Sequence, residues 1–321
     1  MLLVQPITVR HFSDPGCPWA YSASPALATL RWRYGAQLDW KLTLIGLTER
    51  AQQYVDRGYT PQRQARGYRN FRQYGMPFQT QPKHHVAATS RACRAVVAAR
   101  MEDPALGDAA FRALQLMQFT TPLVLDEDGD LATGLRRVPG LAALAIVARI
   151  DDPDVVEAYE ADRALARTAA GSPTEFQGKS ASTDGPVRYT APSLVFERGD
   201  ERAEAGGFQP IEAYDVVLAN FDTSLQRRAP AEDPLEVLEE APHGLATAEV
   251  AEIMRPGLFP ADRGATEDAL IDAAARGEVV RVPVGDDAVW LAARYARESD
   301  RFVRASSMAA ASGVMPPAAA S

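Results

Sequence analysis

The chain has 321 residues, 46% hydrophobic and 24% charged, with 22 glycines and two cysteines. This composition excludes a disordered chain, a collagen-like repeat and a disulfide-stapled mini-domain, and leaves room for one large domain or two modest ones. A formal net charge of −8 argues against general affinity for nucleic acid. Lys41, Lys83 and Lys179 are the only lysines among 34 basic residues, a bias that says little about chemistry. The first ten residues lack a charged leader ahead of a long apolar core, and no apolar run reaches about 18 residues. A soluble cytoplasmic protein without membrane contact is expected, with any cysteine chemistry in reducing surroundings.

Ile7 to Phe12 alternates and is read as a strand. Ser13-Asp14-Pro15-Gly16 is a turn cluster, and Cys17-Pro18-Trp19 opens a helix to about Tyr34, stopped by Gly35. Leu38 to Leu47 reads as a second strand, so the chain starts as a βαβ unit with a parallel pair. A mostly helical stretch follows, with helices expected over 62–74, 83–101, 106–119, 141–148 and 153–169, punctuated by prolines. Val187 to Glu197 reads as a strand interrupted by Pro192, Arg202 to Gly207 as a short strand, and Pro210 to Gln226 as a helix. Arg227 to Pro234 is a polar linker. Beyond it, helices over 247–254 and 266–276 and a hairpin around Gly285-Asp286-Asp287 suggest a winged-helix module.

The chemistry is concentrated in His11-Phe12-Ser13-Asp14-Pro15-Gly16-Cys17-Pro18-Trp19-Ala20. A cysteine directly after a strand, at the start of a helix, faces unpaired backbone N–H groups that favour an anion. Such a thiol can ionise near neutral pH, and Pro18 fits the first turn. Cys17 is therefore the candidate nucleophile.

Asp-Pro-x-Cys-Pro-Trp after the first strand resembles the DsbA-like thioredoxin-fold oxidoreductases, especially their FrnE-type branch. The resemblance spans about Ile7 to Gln226. It implies an α/β, thioredoxin-like fold with an all-helical insertion, to which the C-terminal part adds a small winged-helix-like α+β module. The expected division is 1–48 and 185–228 for the thioredoxin-like domain, 49–184 for the insertion, 229–304 for the module and 305–321 for a disordered tail. The segment Tyr189-Thr190-Ala191-Pro192-Ser193-Leu194-Val195-Phe196 is similar to the family's cis-proline strand, so Ala191 and Pro192 are expected to face Cys17. Gly206-Gly207-Phe208-Gln209-Pro210 is similar to the glycine-containing end of the fourth strand.

One position departs from the family. Where Cys-x-x-Cys is usual, this chain has Cys17-Pro18-Trp19-Ala20. Ala20 removes the thiol that would resolve a mixed disulfide. The expected activity is thiol-disulfide exchange or reduction through one cysteine, released by a small thiol co-substrate such as mycothiol or glutathione, with no tightly bound cofactor. Cys93, within a helical run, is read as a small buried residue more than as a substitute partner. Related kappa-class glutathione transferases and 2-hydroxychromene-2-carboxylate isomerases imply a second enzymatic reading, in which a small thiol is activated. A retired fold kept as an interaction protein is the third.

Around the thiol, Pro18, Trp19, Ala20, His11 and Asp14 are expected to shape the site. His11 is weighed as a charged thiolate partner against a packed imidazole, and Asp14 is taken as a turn former. From Arg50 to Arg94, nine basic residues face one acidic residue, Asp56, and aromatic residues are interleaved. If the insertion caps the thiol, as in the family, Tyr68, Phe71, Arg72, His84 and His85, with Gln209, are candidates for holding an anionic or aromatic substrate. No metal site is expected, because no further Cys/His spacing supports His84-His85. The segment 232–300 carries 16 acidic residues against six arginines, so its expected role is structural or partner-binding and nucleic acid is not its ligand.

Overall fold

A computed structural model of the chain describes residues 5–296. The expected tail from 305 onward lies outside the described residues.

β1 (Ile7–Ser13) is followed by α1 (Pro18–Ser22), α2 (Ser24–Tyr34) and β2 (Leu38–Leu44). The single helix expected from Cys17 to Tyr34 is thus broken, because Pro25 has no N–H to continue the ladder, which resumes with Leu27 N–H to Ala23 O at 3.1 Å. β1 and β2 run parallel, with Phe12 opposite Thr43.

The stretch that follows contains α3 (Gln52–Asp56), α4 (Pro61–Phe71), α5 (Ser90–Glu102), α6 (Pro104–Thr120), α7 (Asp128–Leu135), α8 (Ala143–Ala148), α9 (Pro153–Ala166) and α10 (Pro173–Phe176). A two-residue ribbon of β3 (Ser180–Ala181) and β4 (Arg188–Tyr189) closes it, so it is not all-helical to its end. α5 starts seven residues later than its pattern suggests. The Thr89 and Ser90 amides are taken by the Thr48 carbonyl, and His84 and His85 are held in a loop by Glu127 and Asp126.

The chain then returns as β5 (Ser193–Arg198), β6 (Glu201–Gly206) and α11 (Ile211–Phe221). The four-stranded sheet has the order β2-β1-β5-β6, with β5 antiparallel to β1 and β6. This is the thioredoxin-like arrangement, with α2 and α11 on the face of Ile7, Val9, Leu194 and Phe196. Burial of these aliphatic and aromatic side chains supplies the main driving force, about 1.5–3 kcal/mol for each large one fully buried.

The C-terminal module contains α12 (Pro234–Glu239), β7 (Leu245–Ala246), α13 (Thr247–Met254), α14 (Arg263–Ala275), β8 (Val279–Val284) and β9 (Asp287–Ala292). α12 and β7 were not evident from the sequence pattern. The strands form a second sheet, β7-β9-β8, around buried Trp290. The module shares its core with the thioredoxin-like part, since Trp32 of α2 packs with Val237, Ile253, Leu270 and Trp290. The linker is pinned too: Trp32 Nε1 donates to Ala229 O at 2.8 Å and the Arg228 amide to Arg33 O at 2.8 Å. The Gly285-Asp286 turn reaches the long inserted stretch, where Asp286 accepts from the Phe78 amide at 2.7 Å and pairs with Arg72 at 2.6 Å.

Candidate functional site

Register brings the site together. Phe12 stands opposite Ser193, so the residues just after β1 and just before β5 meet at one end of the sheet. Ser13 O accepts from the Ile45 amide there at 2.9 Å, which adds the end of β2. The Ala191–Pro192 peptide is cis, as the family resemblance implies. Cys17 Sγ donates to Ala191 O at 3.2 Å. Gly16 is needed next to it, because a Cβ there would lie 2.6 Å from Thr89 Cγ2 of the preceding loop.

Cys17 sits just before α1 in extended conformation, and the Trp19 and Ala20 amides point at its sulfur. The sulfur is nevertheless not the exposed thiolate expected from the sequence. The residue is 6% exposed and packs with Phe12, Ala20, Ile45, Tyr189 and Ala191. Burial pushes its thiol up to about 12, and the Asp14 carboxylate adds to the rise; the two amides and Arg188 pull the other way without prevailing. A five-residue helix offers few N–H groups to offset desolvation. Alkylation by iodoacetamide is therefore expected to be slow at pH 7 and to keep accelerating beyond pH 9. A plateau reached by pH 7 would show a depressed thiol and contradict this assignment.

Asp14 is fully buried and does more than form its turn. It accepts from the Gly16 and Leu47 amides at 2.8 and 2.9 Å, from Thr89 Oγ1 at 2.9 Å and from Cys93 Sγ at 3.6 Å. It ties the loop of the thiol to β2 and to α5. Burial raises its carboxyl pKa, with the four donors acting against that rise. Cys93 is fully buried in the helical core, where its own thiol is pushed up by burial. Its hydrogen bond is to Asp14, not to Cys17.

Of the two readings weighed for His11, the packed imidazole and not the charged thiolate partner is the one found. Side chains alternate along a strand, so His11 shares the face of Ile7 and Val9, while Phe12 faces the Cys17 cluster. Its ring meets Trp40 and Phe111 edge-on at 6.4 and 6.3 Å. Burial, with Arg31 nearby, lowers its pKa to about 3, so it is neutral at pH 7 and cannot act as a charged partner of a thiolate.

Outward from the thiol, Trp19 is 43% exposed and forms an aromatic platform with Phe71, Tyr74 and Phe208 at 4.8, 5.6 and 5.3 Å between ring centroids. Phe208 follows Gly207, whose φ of +74° favours glycine and whose amide donates to Ser193 Oγ at 3.0 Å. Tyr68 is buried beneath, its hydroxyl accepting from Gln118 Nε2 at 2.9 Å. Gln209 spends its amide on Gly206 O at 2.9 Å. Of the other substrate-binding candidates, Arg72 is paired with Asp286, while His84 bonds Glu127 at 2.9 Å and His85 bonds Asp126 at 2.8 Å. None of these three makes a described contact with Cys17 or Trp19. His84, His85 and Glu127 do bring three ligand-type atoms within 4.8 Å of one another, the group among the described residues that comes nearest to a metal-binding spacing. The basic segment is partly neutralised in the same way, with Arg91 on Asp128 and Asp151 and Arg94 on Asp151. The sequence reading missed Phe208, and it missed Arg188, whose guanidinium donates to Tyr189 O at 3.0 Å. The aromatic following the double glycine was the available signal for Phe208; Arg188 had none.

A thioredoxin-like sheet with a cysteine facing a cis-proline peptide defines a class of thiol-bearing folds. Residues 8–188 match the DSBA-like thioredoxin domain, more than half of the chain, and the protein belongs to that family. No curated protein matches the chain. Among solved structures, it is similar to one described as a putative protein disulfide isomerase from Nitrosomonas europaea, with 19% identity and a TM-score of 0.52 over 68% of this chain and 98% of that one. That likeness shows the fold. A cytosolic disulfide reductase, DsbM, from Pseudomonas aeruginosa aligns at 20% identity and a TM-score of 0.45, covering 66% and 98% of the two chains. A probable DsbA oxidoreductase from Streptomyces coelicolor aligns at 18% and 0.48, covering 70% and 93%. Among the described residues, no helix is long and apolar enough to cross a membrane.

Proposed function

We propose that the protein is a thiol-disulfide oxidoreductase that works through Cys17 alone. The observation that carries this reading is the 3.2 Å approach of Cys17 Sγ to the carbonyl of Ala191, beside the cis peptide to Pro192. In this reading the described parts of 1–48 and 185–228 carry the thiol, 49–184 covers it, and the described part of 229–304, which ends at 296, braces the helix behind it. Trp19, Phe71, Tyr74 and Phe208 seat the substrate, and Pro192 orients its backbone. Ala20 lies buried where a second thiol would stand, and Cys93 is held by Asp14. The cycle therefore takes its second thiol from solution.

The Cys17 thiolate attacks one sulfur of a substrate disulfide, forming a mixed disulfide and releasing the other half as a thiol. A small thiol of the glutathione or mycothiol kind then attacks the mixed disulfide, regenerates Cys17 and leaves with the first half. One disulfide is exchanged for another, so electrons balance without a further oxidant. A supply of reduced thiol suits a reducing compartment such as the cytoplasm. Because burial keeps Cys17 protonated at rest, the rate is expected to rise with pH through the alkaline range.

Incubation with oxidised glutathione followed by mass spectrometry is expected to place a single adduct on Cys17 and none on Cys93. Cys17→Ser is expected to bring glutathione-dependent disulfide reduction down to the rate of the reagents alone. Full turnover by Cys17→Ser would overturn the assignment. The burial of Cys17 favours one rival, a fold retained without its chemistry, and that rival predicts no adduct after prolonged incubation.

A further inference from the structure

His84 and His85 sit on a bend in the loop before α5. Their ring centroids are 4.5 Å apart and the ring planes cross at 70°, so the two imidazoles meet edge to face and neither covers the other. Opposite them stands Glu127, the residue before α7. Its carboxylate caps no helix amide, and among the described residues it is in no ion pair with an arginine or lysine. One oxygen, Oε1, lies 2.9 Å from His84 Nε2 and 3.9 Å from His85 Nδ1.

The approach of His85 is the informative one. Its Nε2 lies 2.8 Å from Asp126 Oδ1. A carboxylate only accepts, so Nε2 carries the hydrogen and the neutral ring leaves Nδ1 bare. Asp126 is fixed in turn, because its other oxygen accepts from the Ala88 amide at 3.0 Å. A bare nitrogen thus faces a carboxylate oxygen at 3.9 Å with no hydrogen to place between them. A cation there turns two opposed lone pairs into two ligands. A histidine ligand to a metal commonly donates its other ring N–H to a carboxylate, which sets the tautomer and the ring orientation. Asp126 is in the position to do that for His85.

The spacing fits as well. Nitrogen and oxygen ligands about 2.0–2.2 Å from a tetrahedral zinc ion are about 3.3 Å from one another. The three atoms here lie within 4.8 Å of one another, and small rotations of the exposed His84 and Glu127 side chains close the difference. Two imidazoles and one carboxylate suit zinc and its first-row neighbours, whereas magnesium and calcium take oxygen ligands.

We propose that His84 Nε2, His85 Nδ1 and Glu127 Oε1 form a zinc site, with Asp126 as the positioning residue of His85. His84 then carries its hydrogen on Nδ1, and water takes the fourth position on the exposed side. The ion joins the loop before α5 to the start of α7. Glu127 is brought to the histidines only by the fold, which is why their spacing in the sequence shows no metal motif. The site takes no part in the thiol chemistry.

The test is calorimetry with zinc chloride and visible absorption with cobalt chloride, on the full chain carrying Cys17→Ser. That variant removes the exchange thiol as a competing ligand, so the result stands apart from the thiol assignment. Zinc is expected to bind at one ion per chain. Cobalt is expected to show the strong visible bands of a four-coordinate ion without a sulfur charge-transfer band. His84→Ala, His85→Ala and Glu127→Gln are each expected to weaken zinc binding by about tenfold or more, and Asp126→Asn by about 10–100-fold. In Asp126→Asn the amide oxygen stays with the Ala88 amide, and the NH₂ group then faces His85 Nε2 and drives the ring hydrogen to Nδ1. At about 100 times its Kd, zinc is expected to raise the thermal midpoint by about 5 °C. Glu127→Gln, at an exposed position, is expected to fold as before and to lose that rise at the same zinc concentration. Magnesium in about 100-fold excess is expected to leave zinc bound. Absence of saturable zinc binding, a sulfur band with cobalt, displacement by magnesium, or indifference of zinc affinity to His85→Ala and Glu127→Gln overturns the proposal. Indifference to Asp126→Asn alone overturns the positioning role of Asp126.

Discussion

Replacing Arg112 by methionine is expected to destabilise the protein by about 3–5 kcal/mol, the cost of leaving a buried charge without its partner. Glu249 is 1% exposed. Its carboxylate accepts from Arg112 through both oxygens, from the Ala246 amide at 2.7 Å and from the Ser24 hydroxyl. Arg112 belongs to α6, Ser24 to α2 and Glu249 to α13, so this carboxylate joins the inserted helices and the thioredoxin-like part to the C-terminal module. Methionine keeps the length and loses the charge, and the remaining amide and hydroxyl cannot supply the missing cation. Glu249→Gln in the same chain keeps an acceptor for the Ala246 amide and removes the orphaned charge. The double variant is therefore expected to recover most of the loss. Urea unfolding of the parent, both single variants and the double gives the coupling directly. Additive losses would mean that the pair contributes no mutual stabilisation and that the module is held by its other contacts, the Trp32–Trp290 cluster and the Asp286 bonds to Phe78 and Arg72 among them.

The second large effect is on acid stability. His11 has its pKa lowered from the usual 6.5 to about 3 by burial, reinforced by Arg31. Its other neighbours, Trp40 and Phe111, are uncharged. A base whose pKa is depressed by folding binds its proton more readily in the unfolded chain. Between pH 6.5 and about 3 the unfolded state thus holds one more proton, and stability falls as pH is lowered through that window. At 1.36 kcal/mol per pKa unit, this one group accounts for on the order of 4–5 kcal/mol across the window. His11→Leu is expected to remove that slope. Buried carboxyls such as Asp14 and Asp162, whose pKa values are raised, act in the opposite sense but equally in both proteins. The difference between parent and variant therefore isolates His11. Urea midpoints at pH 7, 5 and 4 check it. The variant is expected to gain on the parent by about 1.4 kcal/mol per pH unit below 6.5, and parallel pH profiles would show that the imidazole is not buried neutral.

The position of Cys17 was legible because it rests on local pattern, a turn cluster between a strand and a helix, and the cis bond at Pro192 was expected only from the resemblance of its segment to the family's cis-proline strand. The βαβ start and the antiparallel return followed from the same kind of signal. Much of the break between α1 and α2 could also have been read, since Pro25 stands in the helix itself. So could the side taken by His11, because parity along β1 places it with Ile7 and Val9.

What no local pattern could supply was the balance of burial around the sulfur. The start of a helix argues for an ionised thiol; enclosure by Ile45, Tyr189 and Ala191, with the Asp14 carboxylate close by, argues more strongly for a neutral one. Those groups come from three separate stretches of chain, around residues 14, 45 and 189–191. The late start of α5 is of the same kind, because the carbonyl that takes the Thr89 and Ser90 amides belongs to Thr48, across a loop. The sequence by itself determined the βαβ start, the place of Cys17 between a strand and a helix and the absence of a second cysteine at position 20, since these depend on residue type and short spacing, and the resemblance of its motifs to a known family supplied the type of fold. Tertiary structure alone decided the protonation of that thiol, the company of Asp14 and the fusion of the C-terminal module through Glu249, because desolvation and charge pairing are set by groups distant in sequence that folding brings within a few ångströms.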